Sequence, residues 1–477
     1  MSESPGLLGM GLDHRARTMV SGNRVLRAIR PGYEREVEAL VRHAAIKELM
    51  TDGLLIETRV SEERVEGFEL VLEHPLIAPL SFPFEWPPSM FKAAALALLE
   101  LNSRLMSQGF CTVDGHPWNI VFAGTKPVFV DFTAIVPLPQ HGRWEEALEF
   151  SRTCMSTLVL MSKGFPTEAR RLLRDVRAGP DPALANAVMV NHHRYTHLPR
   201  GIRDMAKTWG VCQFLFRKLR HRLQEDGSAA RTLAGVHRLH GEVESLDVSP
   251  PDDMWSTYYD GRLDVGGYDG TENGLKHFQT ESPKCRAVCA ELERLRPTSV
   301  LDIACNRGPY SQIAARMGAR VTGIDVEEAA LDAMWKDSVR FCSTAQPLYC
   351  NIATPAEPVG FQNEGGFPRV SERFRSDCVL CLALIHHLVF RQHRLSFEHV
   401  ARILSSFAAH HLIVEFVPTT DRALGEYLFQ KPPAFLQRFS WYSLQNLRRA
   451  LGGHFSRIEE RASYPEGRVL LVCSRSA

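Results

Sequence analysis

The chain has 477 residues, with 56 Lys and Arg against 55 Asp and Glu for a formal charge of +1. That length exceeds the ~250–300 residues at which one hydrophobic core stops growing, so two or three domains are expected. The charge balance disfavours a strongly basic nucleic-acid binder or an acidic solvating tail, but leaves room for a local basic patch and so for a nucleic-acid partner. Eleven cysteines, an odd number without paired spacing, read as reduced thiols. Cys378-Val-Leu-Cys381 has zinc-ligand spacing but sits in an apolar run suited to a strand, so no metal site is assigned. The first residues lack the basic start and long apolar middle of a signal peptide, and no apolar run nears the ~20 residues needed to span a bilayer. A cytoplasmic protein without membrane contact is the expectation.

In chain order, Arg24–Ile29 reads as a strand, Tyr33–Met50 as a helix and Ser89–Leu105 as a second helix with Gly109 beyond its end. Then come Val113-Asp-Gly-His-Pro-Trp-Asn-Ile-Val-Phe122 and the apolar run Pro127-Val-Phe-Val-Asp-Phe132. Asp114 and Asn119 are five apart, and Asp131 lies twelve beyond Asn119 at the end of that run. An acid to orient a hydroxyl, with an Asn and an Asp to hold magnesium, is what phosphoryl transfer requires. The segment resembles the aminoglycoside-phosphotransferase-like branch of the protein-kinase fold, which implies Asp114, Asn119 and Asp131 as its loop residues and Mg-ATP as ligand if the domain is active. Arg27 stands where a lysine is usual, with Glu36 or Glu38 as its candidate partner. Gly6, Gly9 and Gly11 do not spell GxGxxG, and the short stretch ahead of Arg24 scarcely accommodates a hairpin over phosphates. The reading is a degenerate kinase-like domain at 20–140.

Residues 141–225 look almost entirely helical and read as a helical extension. The basic stretch Lys207–Leu223 reads as a helix packing Phe214, Leu215, Leu219 and Leu223 inward. His192, His193 and His197 lack a carboxylate partner for a metal site. Residues 226–254 carry Gly, Pro and Ser signals and read as a linker.

From 255 to 477 strand and helix patterns alternate, the signature of a parallel sheet covered by helices. Ser299–Ile303 is a short apolar strand running into Ala304-Cys-Asn-Arg-Gly308. A helix follows at 309–317, with Pro309 in its first turn. A second strand, Arg320–Ile324, ends in Asp325, whose carboxylate can accept bonds from both hydroxyls of a ribose. The turn carries one glycine of the three in GxGxxG, which suits a nucleoside lacking a pyrophosphate better than NAD or FAD.

The segments VLDIACNRGPYS (300–311), GIDVE (323–327), CNIATP (350–355), DCVLCLALIHHL (377–388) and HLIVEFVP (411–418), with a terminal hairpin around Tyr464-Pro-Glu-Gly467, resemble in order the motifs of class I S-adenosylmethionine-dependent methyltransferases. The resemblance implies a Rossmann-like α/β sheet at the C-terminus and S-adenosylmethionine as cofactor, while the kinase-like resemblance implies an α+β fold for the N-terminal domain, followed by its helical extension. It places Asp302 near the methionine amino group, Ala304, Asn306 and Gly308 in the binding turn, Asp325 on the ribose, and Asn351 and Ile352 on adenine. Ala304 and Asn306 replace usual glycines, and Asn351 a common aspartate. His386 and His387, after the fourth strand, are candidates to orient a methyl acceptor or take its proton. Glu415-Phe416 is a second candidate wall. The two parts together resemble bacterial two-part methyltransferases, some of them associated with host-specific nodulation. The expected acceptor is a small molecule; a phosphotransferase using Asp114, Asn119 and Asp131, or a cofactor-binding scaffold, are the alternatives.

Overall fold

The structure is a computed structural model that describes residues 6–7, 13–174, 180, 184–185, 231–252, 255, 258–259, 267–355, 368–391 and 394–476. The chain is mixed α/β and divides into two compact units at Pro250/Pro251. No helix among the described residues is long and apolar enough to cross a membrane. The basic stretch 207–223 and His192, His193 and His197 lie outside the described residues.

In the first unit, β1 (Gly6–Leu7), β2 (Ala16–Ser21), β3 (Arg24–Ile29), β4 (Arg59–Val60) and β5 (Leu70–Pro75) form an antiparallel sheet in the order β1-β2-β3-β5-β4. A strand pair does precede Arg24, β1 with β2 (Gly6↔Val20, Leu7↔Met19), and β2 pairs in turn with β3 from Ala16↔Ile29 to Ser21↔Arg24, turning at Gly22, whose φ of 61° suits glycine. The segment read as one helix from Tyr33 is two, Glu34–Arg42 and Ala44–Thr51. They break at His43, whose ψ of 132° is extended. No Gly or Pro announces the break; the His43 ring packs edge-on against Phe110 at 5.0 Å, a long-range contact that local propensity does not encode.

The twenty-residue helix Pro88–Ser107 is the hub of this unit, with Met90, Phe91, Ala94, Leu98, Leu101 and Leu105 buried. It leads into β6 (Phe110–Thr112). The hairpin β7 (Ile120–Ala123) and β8 (Lys126–Phe129) follows, then β9 (Ile135–Pro137), which pairs with β6. Helices continue through Pro166–Leu173. The stretch read as linker is partly ordered helix, Leu233–Ser245. Thr232 caps it by accepting from the Gly235 N–H at 3.1 Å, and Val236, Leu239 and Val243 recur at helical spacing to bury one face. Lys92 Nζ on the hub helix donates to the Glu244 and Leu246 carbonyls at 2.8 and 2.7 Å, satisfying C-terminal acceptors.

The second unit is built on seven strands: β10 (Ser299–Ile303), β11 (Arg320–Asp325), β12 (Gln346–Tyr349), β13 (Ser376–Cys381), β14 (Ala408–Phe416), β15 (Arg457–Ala462) and β16 (Val469–Ser474). Their order is β12-β11-β10-β13-β14-β16-β15, parallel except for β16, which runs antiparallel to both neighbours. Strand β10 is buried at every position, as a central strand covered on both faces must be, which is why Val300, Leu301 and Ile303 lack polar alternation and Asp302 stands out. Cys378 and Cys381 are both buried on β13. The chain steps outward from β10 to β11 and β12, then returns to the other side of β10 for β13. The crevice beyond the carboxyl ends of β10 and β13 is therefore a topological switch point, where open α/β sheets bind ligands.

Candidate functional site

The turn after β10 has an uncommon backbone. Ala304, Asn306 and Gly308 have φ of 59°, 52° and 72°, alternating in the left-handed region. Glycine visits that region freely and asparagine tolerably, but alanine at roughly 1–2 kcal/mol of strain. The three positions thus have the geometry that the motif's glycines would supply, and the replacements have local reasons. Asn306 spends its side chain on the turn: Oδ1 accepts the Arg307 N–H at 2.8 Å, and Nδ2 donates to the Trp255 carbonyl at 2.8 Å, tying that aromatic over the crevice. Gly308 precedes the Pro309–Arg316 helix, and a Cβ there would fall 2.4 Å from Met334 Sδ.

Asp325 ends β11 and holds the turn from the other side. Its Oδ2 accepts the Asn306 N–H at 2.7 Å, while Oδ1 accepts the N–H of Val326 at 2.7 Å and of Glu327 at 3.2 Å. Asp302, at 2% exposure, accepts a 2.6 Å bond from Ser311 Oγ. Burial, only partly offset by that hydroxyl and reinforced by nearby Asp325, pushes its pKa up to about 7. Because the folded form holds its proton at higher pH than the unfolded chain does, Asp302 lowers stability as pH rises from about 4 to about 7. Asp302→Asn, which keeps an acceptor for Ser311, is expected to flatten that slope and to raise stability at pH 8 by a few kcal/mol, on the order of 1.4 per pKa unit. Urea melts across pH 4–8 check it; an unchanged slope would refute the assignment.

These groups open into one cavity of about 380 Å³. Of the residues singled out from sequence, Asp302, Ala304, Asn306, Asp325, Asn351, Ile352, His386 and His387 line it. Gly308 does not line it and acts instead by letting the turn close on Met334. Asn351 Oδ1, the atom expected to receive the adenine amino group, accepts the Ala353 N–H at 3.0 Å and so shapes its own turn.

Glu415-Phe416 is not a wall of the cavity. Glu415 is fully buried, paired with Lys284 Nζ at 2.6 Å and accepting from Ser463 Oγ at 2.7 Å, while Phe416 stacks on Tyr442. Its partner Lys284 lines the cavity in its place.

Sequence reading missed the other walls: Trp255, Tyr258 and Tyr259 before the sheet, Tyr310 after the turn, and Arg391, Asp421, Tyr427 and Arg468 late in the chain. Only the aromatic cluster Trp255-x-x-Tyr258-Tyr259, in an otherwise polar stretch, offered a signal. The His386 and His387 rings lie 4.2 Å apart, and His387 meets Trp255 edge-on at 5.4 Å. Burial, then His387, Arg468, Arg391 and Lys284, drives the His386 pKa down to about 2; burial and Arg391 take His387 to about 4. Both imidazoles are neutral at pH 7 and weakly basic, so these surroundings oppose the expected proton uptake near neutral pH.

In the first unit, Asn119 Nδ2 donates to Asp114 Oδ2 at 2.8 Å. Asp131 is engaged by Arg27, which also reaches the Val130 carbonyl at 3.1 Å and Asp13 at 3.3 Å; Thr133 Oγ donates to Asp131 at 2.8 Å. Burial raises the Asp131 pKa, but Arg27 and Thr133 outweigh it and hold the carboxyl below its usual range. The candidate partners of Arg27 are elsewhere: Glu36 pairs with Arg15 and Glu38 with Arg42.

No family model matches the chain. It is 26% identical over 415 residues to nodulation protein NoeA of Rhizobium meliloti (strain 1021), covering 84% of this chain and 82% of that protein. Among solved structures it is similar to magnesium protoporphyrin IX methyltransferase of Synechocystis PCC 6803 with bound SAH. That match has 20% identity and TM-score 0.28, covering 40% of this chain and 81% of the other. It is similar to WbdD crystallised with the kinase inhibitor LY294002 at 16% identity and TM-score 0.30, covering 43% of this chain and 44% of the other. A putative O-methyltransferase of Nostoc punctiforme PCC 73102 gives 15% identity and TM-score 0.28, covering 47% and 70%. At such TM-scores the likenesses carry no functional argument.

Proposed function

We propose that the second unit transfers the methyl group of S-adenosylmethionine to a small-molecule acceptor. The observation that carries this reading is the cavity at the switch point, which combines a strand-tip acid, a turn with three left-handed residues and an aromatic rim. The donor set fits the cofactor: Asp325 suits two ribose hydroxyls; Asn351 with the apolar Ile352 suits a flat base; Asp302 and the turn from Ala304 to Gly308 suit the amino-acid end. Bound there, the cofactor would supply an electrophilic methyl on a sulfonium. The chain's own part is to orient and to exclude water. Trp255, Tyr258, Tyr259 and Tyr310 offer aromatic faces and edges that favour a sulfonium over solvent, and His386 and His387 form a neutral wall for the acceptor. A concave, partly apolar pocket of this size favours a compact acceptor over a nucleic-acid helix.

Titration with S-adenosylhomocysteine in a calorimeter tests the reading. One-to-one binding in the micromolar range is expected, and no heat together with no thermal shift would end it.

The first unit we read as a kinase-like accessory without phosphotransfer. What supports this is the Arg27–Asp131 pair: the carboxylate that would hold magnesium already carries a guanidinium. Mg-ATP is accordingly expected to leave the melting temperature unchanged, and a shift of several degrees that is lost in Asp131→Asn would overturn it.

A further inference from the structure

The acceptor end of the cavity has an uneven charge balance. Three cations line it. Lys284 is matched by buried Glu415 at 2.6 Å, and Arg468 by Asp421 at 2.8 Å. The Arg391 side chain makes no ion pair and no hydrogen bond among the described residues; only its backbone N–H is engaged, by the His387 carbonyl at 3.1 Å. Its guanidinium carbon lies 5.7 Å from the Trp255 ring centroid and 5.2 Å from that of Tyr427. Two aromatic faces hold the group without consuming its N–H donors, an arrangement that pre-organises a planar fork for an anion.

Its effect reaches the neighbouring wall, since it lowers the basicity of both His386 and His387. No strong base therefore stands on that wall among the described residues. An acceptor that must lose a proton is poorly served here; one already anionic needs no base and meets the charge that the protein leaves unmatched.

We propose that the methyl acceptor is an organic carboxylate gripped through that group by Arg391, an inference that rests on the methyltransferase reading. One carboxylate oxygen bonds the guanidinium and the other attacks. Its lone pair forms the O–CH3 bond as the C–S bond breaks, and that electron pair passes to sulfur. A methyl ester and a neutral thioether result, with no proton released. A phosphate dianion fits less well, because one uncompensated cation at the C-terminal end of the Ile385–Phe390 helix offers neither the charge nor the backbone N–H groups that phosphate sites use.

The test uses the full chain saturated with S-adenosylhomocysteine, so that failure of cofactor binding is seen first and separately. A panel of aromatic and aliphatic carboxylic acids, each beside its primary amide, is titrated. At least one acid is expected to bind about tenfold to a hundredfold more tightly than its amide. Arg391→Gln should remove that preference and Arg391→Lys should keep part of it, with both variants still giving the S-adenosylhomocysteine thermal shift. With methyl-labelled S-adenosylmethionine, the acids that bind should become labelled in a form released by mild alkali. The proposal is overturned by a panel without acid preference, by a preference that survives Arg391→Gln, or by an alkali-stable label.

Discussion

Asp325→Ala is expected to weaken S-adenosylhomocysteine binding by about 10²–10⁴-fold. A bond to a carboxylate contributes roughly 1.5–3 kcal/mol, and the reading gives Asp325 two on the ribose. The substitution also acts through the protein. Asn306, Val326 and Glu327 each direct a backbone N–H at this carboxylate, so alanine leaves the turn after β10 without its anchor. A lower melting temperature in the absence of ligand should therefore accompany the lost affinity. Asp325→Asn separates the two effects. Its amide keeps one acceptor oxygen but puts an NH2 against a backbone N–H, so the turn is partly restored while the ribose loses a charge. The expected order of affinity is wild type, Asn, Ala, measured by calorimetry with circular dichroism as the check on folding. An alanine variant that binds as wild type does would remove the carboxylate from the site.

Why this half of the molecule was readable is visible in β10 and β11. A central parallel strand has no solvent side, so Ser299–Ile303 is mostly apolar without polar alternation, and the structure gives the same limits. The Pro309–Arg316 helix was bounded by a proline at its first position and Gly318 beyond its end, again with local causes. His386 and His387 could be placed because they follow directly on an apolar strand, at the edge where open α/β sheets bind ligands. The residues that escaped are those whose role depends on distant contacts. Arg391 is an ordinary arginine in sequence and acquires meaning only between Trp255 and Tyr427, which lie on either side of it in the chain. Glu415 looked like a pocket acid because it ends a strand, but Lys284, 131 positions earlier, draws it into the core. Arg27 shows the same limit in the first unit, where position alone suggested a glutamate partner and the fold supplied Asp131.

The turn itself gives the second large effect. At Gly308 two independent penalties meet in one methyl group. The φ of 72° costs any L-residue about 1–2 kcal/mol. The added Cβ would lie 2.4 Å from Sδ, 2.9 Å from Cγ and 3.0 Å from Cε of Met334. A methionine can often move aside, but this one is fully buried, with Cys305 Sγ 3.8 Å from its sulfur and Gly323 close enough that a Cβ there would strike its Cε at 2.8 Å. Overpacking of such a core costs a further ~1–3 kcal/mol, so Gly308→Ala should destabilise the second unit by about 2–5 kcal/mol. The steric share can be isolated. Met334→Ala alone leaves a cavity worth ~2–5 kcal/mol, but in the double variant the new methyl occupies part of that space. The two substitutions are therefore expected to be less than additive by about 1–2 kcal/mol in urea denaturation, the residue of the Gly308 effect being backbone strain that no repacking relieves. Strict additivity would assign the whole cost to the left-handed backbone and leave Met334 a bystander.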